Sequence, residues 1–276
     1  DPIGAPQEYG YRNKITLHVA IADDACALGY VAEDNRTVLD VPECPLANPE
    51  INAVLGNLRA DVEFMDSMED GMSLTLRHTG HDGVIHWVSQ GADRASTVSA
   101  GGRRWLVETT SAGKVHVPVE SFFQVNPSIA EKLTTCVTDI VGAARPEAVV
   151  DLYCGVGVFG LMAGKRGVPL ILVADSDGES ILAARKNALE WGMGNATFVE
   201  GDAGRLLGDA LSRSDMASTV LIVDPPRRGL ERHVIGTIVR RKPKHLIYVS
   251  CAPDTLARDV ALLGEGREHL AGLDSY

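Results

Sequence analysis

The apolar positions of this chain change rhythm near its middle. Over the first 120 residues, short segments of alternating or β-branched character at 14–21, 73–78, 84–88, 104–108 and 115–119 are separated by Gly, Asp and Asn. A period of two predicts strands, and the interruptions predict turns. One helix is predicted over 49–59, with Asn48 as its N-cap. From about residue 128, helical and strand patterns alternate: a helix over 129–141, a strand over 148–152, a Gly-rich turn with a helix, a strand over 170–174 and a helix over 179–191. Strands over 196–199, 220–223 and 245–249 follow, and a helix over 254–263 comes after the last of them. Such alternation predicts an α/β domain with a parallel sheet covered on both faces. The expected division is a strand-rich α+β domain over 1–120 and the α/β domain over 121–276. No internal repeat or low-complexity tract interrupts either.

Composition narrows the class. With 45% hydrophobic and 23% charged residues, the chain can bury two modest cores. No apolar run approaches the ~20 residues that span a bilayer, and the first residues, DPIGAPQEYGYRNK, lack the regions of a signal peptide. A protein of the cytoplasm, acting as a monomer without a membrane, is expected. The five cysteines at 26, 44, 136, 154 and 251 are scattered and odd in number, which favours thiols over disulfides. The net charge of −11 opposes a generic nucleic-acid binder. Residues 1–120 hold 9 Lys+Arg against 18 Asp+Glu, and the remainder 17 against 19, so the acidic excess lies at the front.

Parallel sheets bind ligands outside the carboxyl ends of their strands, so the residues there are the candidates for chemistry. The first predicted strand of the second half runs into Asp151-Leu-Tyr153-Cys-Gly155-Val-Gly157-Val-Phe-Gly160. Its glycines allow close approach of backbone to a ligand, and a helix N-terminus follows. Taken literally it contains GxGxxG, which alone fits a nicotinamide cofactor, a sulfonium cofactor or a plain tight turn. The next strand ends in Asp175, placed for ribose hydroxyls, and Asp202 follows the third. The fourth ends in Asp224-Pro-Pro-Arg-Arg-Gly229, where two prolines stop the ladder and hold Asp224 at the sheet edge. The fifth runs through Tyr248-Val-Ser-Cys251-Ala-Pro-Asp-Thr-Leu. An isolated cysteine is more often a small core residue, but this one precedes a helix whose N-terminus favours a thiolate. Upstream, Ser121-Phe122-Phe-Gln124-Val-Asn-Pro joins two aromatics with side-chain amides, suited to stacking on a base and reading its edge, or to interdomain packing.

SFFQVNP, DLYCGVGVFGL, the Asp175 strand end, DPPRRGL and YVSCAPDTLARD occur here in the order found in the RNA uracil-5-methyltransferase family, which the chain resembles over nearly its whole length. YGYRNK and VPECPLANPEIN extend the resemblance upstream. It implies a Rossmann-like S-adenosylmethionine methyltransferase domain that forms 5-methyluridine in structured RNA. Gln124, Tyr153, Gly155, Gly157, Asp175, Asp202 and Asp224 would line the cofactor site, Phe122 and Asp224 would meet the target uracil, and Cys251 would be the nucleophile. Val158 stands where many relatives carry a polar residue such as Asn, and Ala252 replaces the Asn of their SCNP motif. Related 5-methylcytosine enzymes carry a second cysteine where Pro226 stands, so uracil is favoured over cytosine.

The resemblance also implies parts that this chain does not supply. The family's general base is a glutamate in a His-x-Glu stretch beyond the segment matched by LDSY, and some relatives hold an iron–sulfur cluster through three upstream cysteines and one at the position of Cys44. A fragment, or the ordered part of a longer protein, is therefore expected, with a [4Fe-4S] cluster only if three further cysteines lie upstream. Phosphate contacts would come from Arg227, Arg228, Arg240, Arg241, Lys242 and Lys244 or from a further domain; a solvated charge run is the equal alternative. Ribosomal RNA is slightly favoured over tRNA, because no large insertion precedes DPPRRGL and Cys44 matches a cluster-ligand position. The competing readings are an RNA- or cofactor-binding fragment without turnover, and a nicotinamide oxidoreductase resting on GxGxxG alone.

Overall fold

The computed structural model describes residues 3–22, 25–90, 104–210 and 216–264. The chain divides into two compact units, one from Gly4–Thr109 with Gln124–Ala130 and the other from Thr110–Phe123 with Glu131–Tyr276.

The first unit contains β1 (Lys14–Ala22), β2 (Ala25–Val31), β3 (Val38–Asp40), α1 (Pro49–Ala60), α2 (Val62–Asp66), β4 (Met72–Thr79), β5 (Gly83–Gln90) and most of β6 (Trp105–Thr110). Five strands form an antiparallel sheet in the order β3-β2-β1-β4-β5. The alternation in β1 works as predicted: Ile15, Leu17 and Val19 are buried in a core shared with Leu74, Leu76, Ile51 and Leu55, while Lys14, Thr16 and His18 face the other way. Asn48 caps α1, its Oδ1 accepting the Glu50 N–H at 2.8 Å, with Pro49 in the first turn.

The patterns did not predict β2, β3 or α2. Ala-Cys-Ala-Leu-Gly-Tyr-Val carries little strand propensity, and tertiary contacts decide it instead. At Gly29 a Cβ would lie 1.7 Å from the Leu39 carbonyl oxygen, so only glycine lets β3 pair here. Asp40 seals that edge, its Oδ1 accepting from Leu28 N–H at 2.9 Å and from the Arg59 guanidinium at 2.7 Å.

The second unit holds β7 (Gly113–Pro118), α3 (Pro127–Ala144) from Glu131 onward, β8 (Ala148–Leu152), α4 (Val158–Lys165), β9 (Leu170–Asp175), α5 (Gly178–Glu190), β10 (Ala196–Glu200), α6 (Ala203–Ala210), β11 (Thr219–Val223), α7 (Arg232–Arg241), β12 (His245–Tyr248) and α8 (Pro253–Gly264). The five strands β8 to β12 form an all-parallel sheet in the order β10-β9-β8-β11-β12. The central strands β8 and β11 are buried at every position, as a sheet covered on both faces requires. Val150, Leu152, Leu221 and Val223 pack with Leu207, Val234, Ile238 and Leu263 of α6, α7 and α8. Their neighbours Val149, Val220 and Ile222 pack on the other face with Val137, Val141, Phe159 and Ile181 of α3, α4 and α5.

The strand order reverses between β8 and β11, and such a reversal opens a crevice at the carboxyl edge. No helix among the described residues is long and apolar enough to cross a membrane.

In the first unit, Arg77 and Glu108 form a buried ion pair at 2.9 Å, with side-chain exposures of 1% and 7%. Burial raises the Glu108 carboxyl and outweighs the lowering by the Arg77 guanidinium. Glu108→Ala leaves the guanidinium buried without its carboxylate and is expected to cost about 3 kcal/mol. The paired change Arg77→Met with Glu108→Leu is expected to recover most of that loss. Urea midpoints of the single and double variants check both.

Candidate active site

Asp151, one residue before the end of β8, is completely buried. Its Oδ2 accepts the Gly160 N–H of α4 at 2.8 Å, and its Oδ1 is buried without a hydrogen-bond partner. Desolvation pushes this carboxyl up to about 8, helped by the charges of Asp224 and Asp175 and opposed by the Gly160 bond. Gly160 is required here, because a Cβ would stand 2.6 Å from Val173 Cγ1. The turn between β8 and α4 places Tyr153, Gly155 and Gly157 at φ of 59°, 51° and 82°. Space in front of Gly155 is open, with no atom within 4 Å of where a Cβ would be. Gly155 is thus needed for its backbone conformation and leaves room for a ligand. Tyr153, a left-handed non-glycine residue, is half-buried, and its phenol is pushed up to about 12 by burial and by the charges of Glu231 and Asp202.

Asp175 ends β9 and ties this turn in place. Its Oδ2 accepts the Gly155 N–H at 2.8 Å and its Oδ1 the Asp177 N–H at 2.9 Å. Each carboxylate oxygen has a second lone pair, so the group can still accept from ligand hydroxyls. Asp177 caps α5 and also accepts from Ser121 Oγ at 3.2 Å, which fixes the start of the SFFQ segment to the unit. Phe122 follows with 71% of its surface exposed. Gln124 belongs to the first unit, where its carbonyl accepts from Asn13 Nδ2 at 3.3 Å.

Asp202 follows β10 and starts α6, its Oδ1 accepting from Gly204 and Arg205 N–H at 3.0 and 3.1 Å. The Arg205 bond is the largest of the effects that lower its carboxyl. His233 stands beside it, with Nε2 3.4 Å from Asp202 Oδ1 and Nδ1 3.4 Å from Glu231 Oε2. Among the described residues these three alone group closely enough to hold a metal ion. The two ring nitrogens each face a different carboxylate.

Asp224 follows β11. It is half-buried, its carboxylate meets no donor among the described residues, and desolvation alone pushes it up to about 6. Val249 N–H donates to Val223 O at 2.8 Å, so the chain leading to Cys251 runs beside the chain leading to Asp224. Cys251 is an exposed thiol in the turn before α8. Ser250 Oγ accepts the Ala252 N–H at 3.1 Å across it.

Cys44 lies elsewhere, 4% exposed in the first unit's core, its backbone gripped by the Asn52 amide through two bonds of 2.9 Å. Of the basic residues, Arg228 pairs with Glu231 at 3.2 Å, Arg240 donates to Thr237 Oγ1 and Lys244 to the Ala144 carbonyl, while Arg227 is exposed.

The second unit therefore brings Tyr153, Gly155, Gly157, Asp175, Asp202, Asp224 and Cys251 to one sheet edge. Asp175, Asp202 and Asp224 present carboxylates there, a field that repels a pyrophosphate and attracts a cation. S-adenosylmethionine carries a sulfonium and an ammonium group. The open glycine turn and Asp224, whose carboxylate meets no donor among the described residues, fit that molecule better than a dinucleotide. Residues that sequence patterns did not single out include Asp177, Glu231 and His233, whose contacts with the site arise only when separate loops meet.

The sequence model of the tRNA (Uracil-5-)-methyltransferase family matches residues 113–269. An uncharacterized RNA methyltransferase of Thermosynechococcus vestitus is 31% identical over 95% of this chain and 66% of its own length. The tRNA (uracil(54)-C(5))-methyltransferase of Schizosaccharomyces pombe is 28% identical over 95% of the chain and 50% of its own length. The chain thus spans half to about two thirds of these relatives. The crystal structure of Pyrococcus abyssi tRNA (uracil-54, C5)-methyltransferase with S-adenosyl-L-homocysteine superposes with a TM-score of 0.71, at 26% identity, over 94% of this chain and 71% of that one.

Asp151 has a consequence for stability. Its carboxyl ordinarily ionises at 3.8 and in the folded protein at about 8, so the stability it contributes is fully present below 3.8 and is lost as pH rises towards 8. Asp151→Asn, neutral at every pH, is expected to gain on the parent by up to about 1.4 kcal/mol per pH unit. The gain should run from pH 4 to 8 and then level off. Thermal midpoints across that range check it, and a gain independent of pH would overturn the assignment.

Proposed function

The chain belongs to the tRNA (uracil-5-)-methyltransferase family, and from that membership we propose that it forms 5-methyluridine in RNA with S-adenosylmethionine as methyl donor. The observation that carries this reading is the exposed Cys251 thiol, on the chain paired beside that of the half-buried Asp224, at the edge that holds the open glycine turn.

Carbon 5 of uracil is a weak nucleophile. Addition of the Cys251 thiolate to carbon 6 moves the ring's electron pair towards carbon 5 and the adjoining carbonyl, which makes carbon 5 reactive. The bound cofactor supplies an electrophilic methyl group on its sulfonium. Asp175 would accept its ribose hydroxyls, Asp202 would face its adenine side, and Tyr153, Gly155 and Gly157 would complete the cradle. Asp224 would attract its ammonium group or accept the uracil ring N–H, and Phe122 would stack on the base. A base must afterwards take the carbon 5 proton so that the ring expels Cys251; no glutamate of this chain is assigned to that step.

The target must leave its stack, which costs least in RNA loops. The relatives whose names state an RNA act at uridine 54 of tRNA, so tRNA is the first substrate to assay, with ribosomal RNA as the comparison. A [4Fe-4S] cluster would draw one thiol, Cys44, from this chain and three from outside it.

In the intact protein, Cys251→Ala is expected to abolish methyl transfer to tRNA, at least about 10³-fold. It should also abolish the gel-stable complex with tRNA containing 5-fluorouridine. Methylation retained at the parent rate would sink the reading. Asp224 gives a second outcome: because its carboxyl ionises at about 6, affinity for S-adenosylhomocysteine should weaken as pH falls from 7 to 5. The loss should approach roughly tenfold and be absent in Asp224→Asn, as measured by calorimetry.

A further inference from the structure

Asp259 lies in the middle of α8 with none of its surface exposed, yet four donors converge on it. Its Oδ2 accepts from the Leu230 N–H and from the Tyr248 hydroxyl, both at 2.7 Å. Its Oδ1 accepts from Arg258 Nε and Nη2 at 2.9 and 2.7 Å. The same Arg258 Nη2 donates to the Arg228 carbonyl at 2.8 Å, and Thr255 Oγ1 lies 3.1 Å from the Arg227 carbonyl. Gly229, at φ 77°, presses so closely on this cluster that a Cβ would stand 2.5 Å from Asp259 Oδ2 and 2.6 Å from Arg258 Nη2. The helix therefore grips residues 227–230 through backbone atoms, and it grips the end of β12 through Tyr248.

These gripped segments adjoin the two reacting positions. Asp224 begins the loop whose far end Asp259 and Arg258 hold, and Pro225 and Pro226 transmit that hold with little freedom. Cys251 lies in the turn that leads into α8, three residues after Tyr248 and eight before Asp259. One carboxylate thus joins the β11 loop, the β12 end and the helix that follows the thiol. A charge-assisted bond to a fixed guanidinium is stronger and more directional than a neutral one, which suits a spacer more than a glue.

We propose that Asp259 and Arg258 are positioning residues that set the distance between the Cys251 thiol and the Asp224 carboxylate for attack on the base. The proposal rests on the reading of Cys251 as nucleophile. Neither residue touches substrate or cofactor; they act through the loop and the helix they hold together. Misplacing a reacting group by about 1 Å costs on the order of 10²-fold in rate, so the effect belongs to the covalent step and not to binding.

The test uses the intact protein, S-adenosylmethionine and tRNA transcribed with 5-fluorouridine, and reads the rate of the gel-stable complex at saturating RNA. Arg258→Met and Asp259→Asn are expected to slow complex formation by about 30- to 100-fold. Affinity for S-adenosylhomocysteine by calorimetry should stay within about threefold of the parent, and Arg258→Lys, which keeps one donor, should recover most of the rate. A rate within threefold of the parent for Arg258→Met overturns the proposal, as does a loss matched by an equal loss of cofactor affinity. If Asp259→Asn does not fold, Arg258→Met decides the matter, since it leaves the buried carboxylate its two other donors. Failure of the underlying reading looks different: the parent forms no complex, or Cys251→Ala still forms it.

Discussion

Parallel pairing in a single register constrains everything else in the second unit. Val223 sits opposite both Leu152 and Tyr248, Leu152 opposite Ala174, and Ala174 opposite Val199. All five strands therefore stop on one line. Residues 22 to 96 positions apart in sequence meet along that line because the ladder leaves them no other place. A slip of one residue in β11 would send Ile222 and Val223 to the opposite cores and carry Asp224 away from the crevice.

The line of carboxylates carries an electrostatic tension. Asp151 feels the charges of Asp175 and Asp224 but is moved mainly by desolvation, and the structure relieves the strain unevenly: Asp175 accepts two backbone N–H groups, Asp151, pushed up to about 8, gives up its charge at neutral pH, and Asp224, pushed up to about 6, keeps most of its own. A cationic ligand would be attracted by the charge that Asp175 and Asp224 keep. The same negative field works against RNA, whose phosphates need cations that this chain places sparingly. Arg228, Arg240 and Lys244 already serve neighbours in the fold. Recognition of a loop by base stacking and shape suits such a surface better than tracking of a phosphate backbone.

The parallel sheet was legible because apolar runs such as Val-Val-Asp-Leu and Thr-Val-Leu-Ile-Val have no other stable reading between turn signals. Asn48, with proline after it, announced α1. Segments stabilised by long-range contacts were not legible. Strand β2 depends on a glycine that admits a neighbour's carbonyl, and α7 mixes β-branched residues and Gly236 into a helical spacing of Val234, Ile235 and Ile238. At the site, every residue that ends or follows a strand could be found from pattern alone: Asp175, Asp202, Asp224 and Cys251. Asp259 could not, although its segment stood in plain view, because a carboxylate in the middle of a helix reads as a solvated face until the fold turns it inward.

Tyr153 bears on how such a site can be altered. A left-handed tyrosine is less comfortable than glycine would be by on the order of 1 kcal/mol or more, and the turn itself asks only for that backbone shape. Glycine there would be the obvious choice of an engineer seeking a hardier protein. It would also remove the half-buried phenol, which feels the charges of Glu231 and Asp202. On the proposed role of Tyr153 the position trades durability against recognition, and thermostabilising libraries built on this scaffold should hold residue 153 fixed while they vary its neighbours.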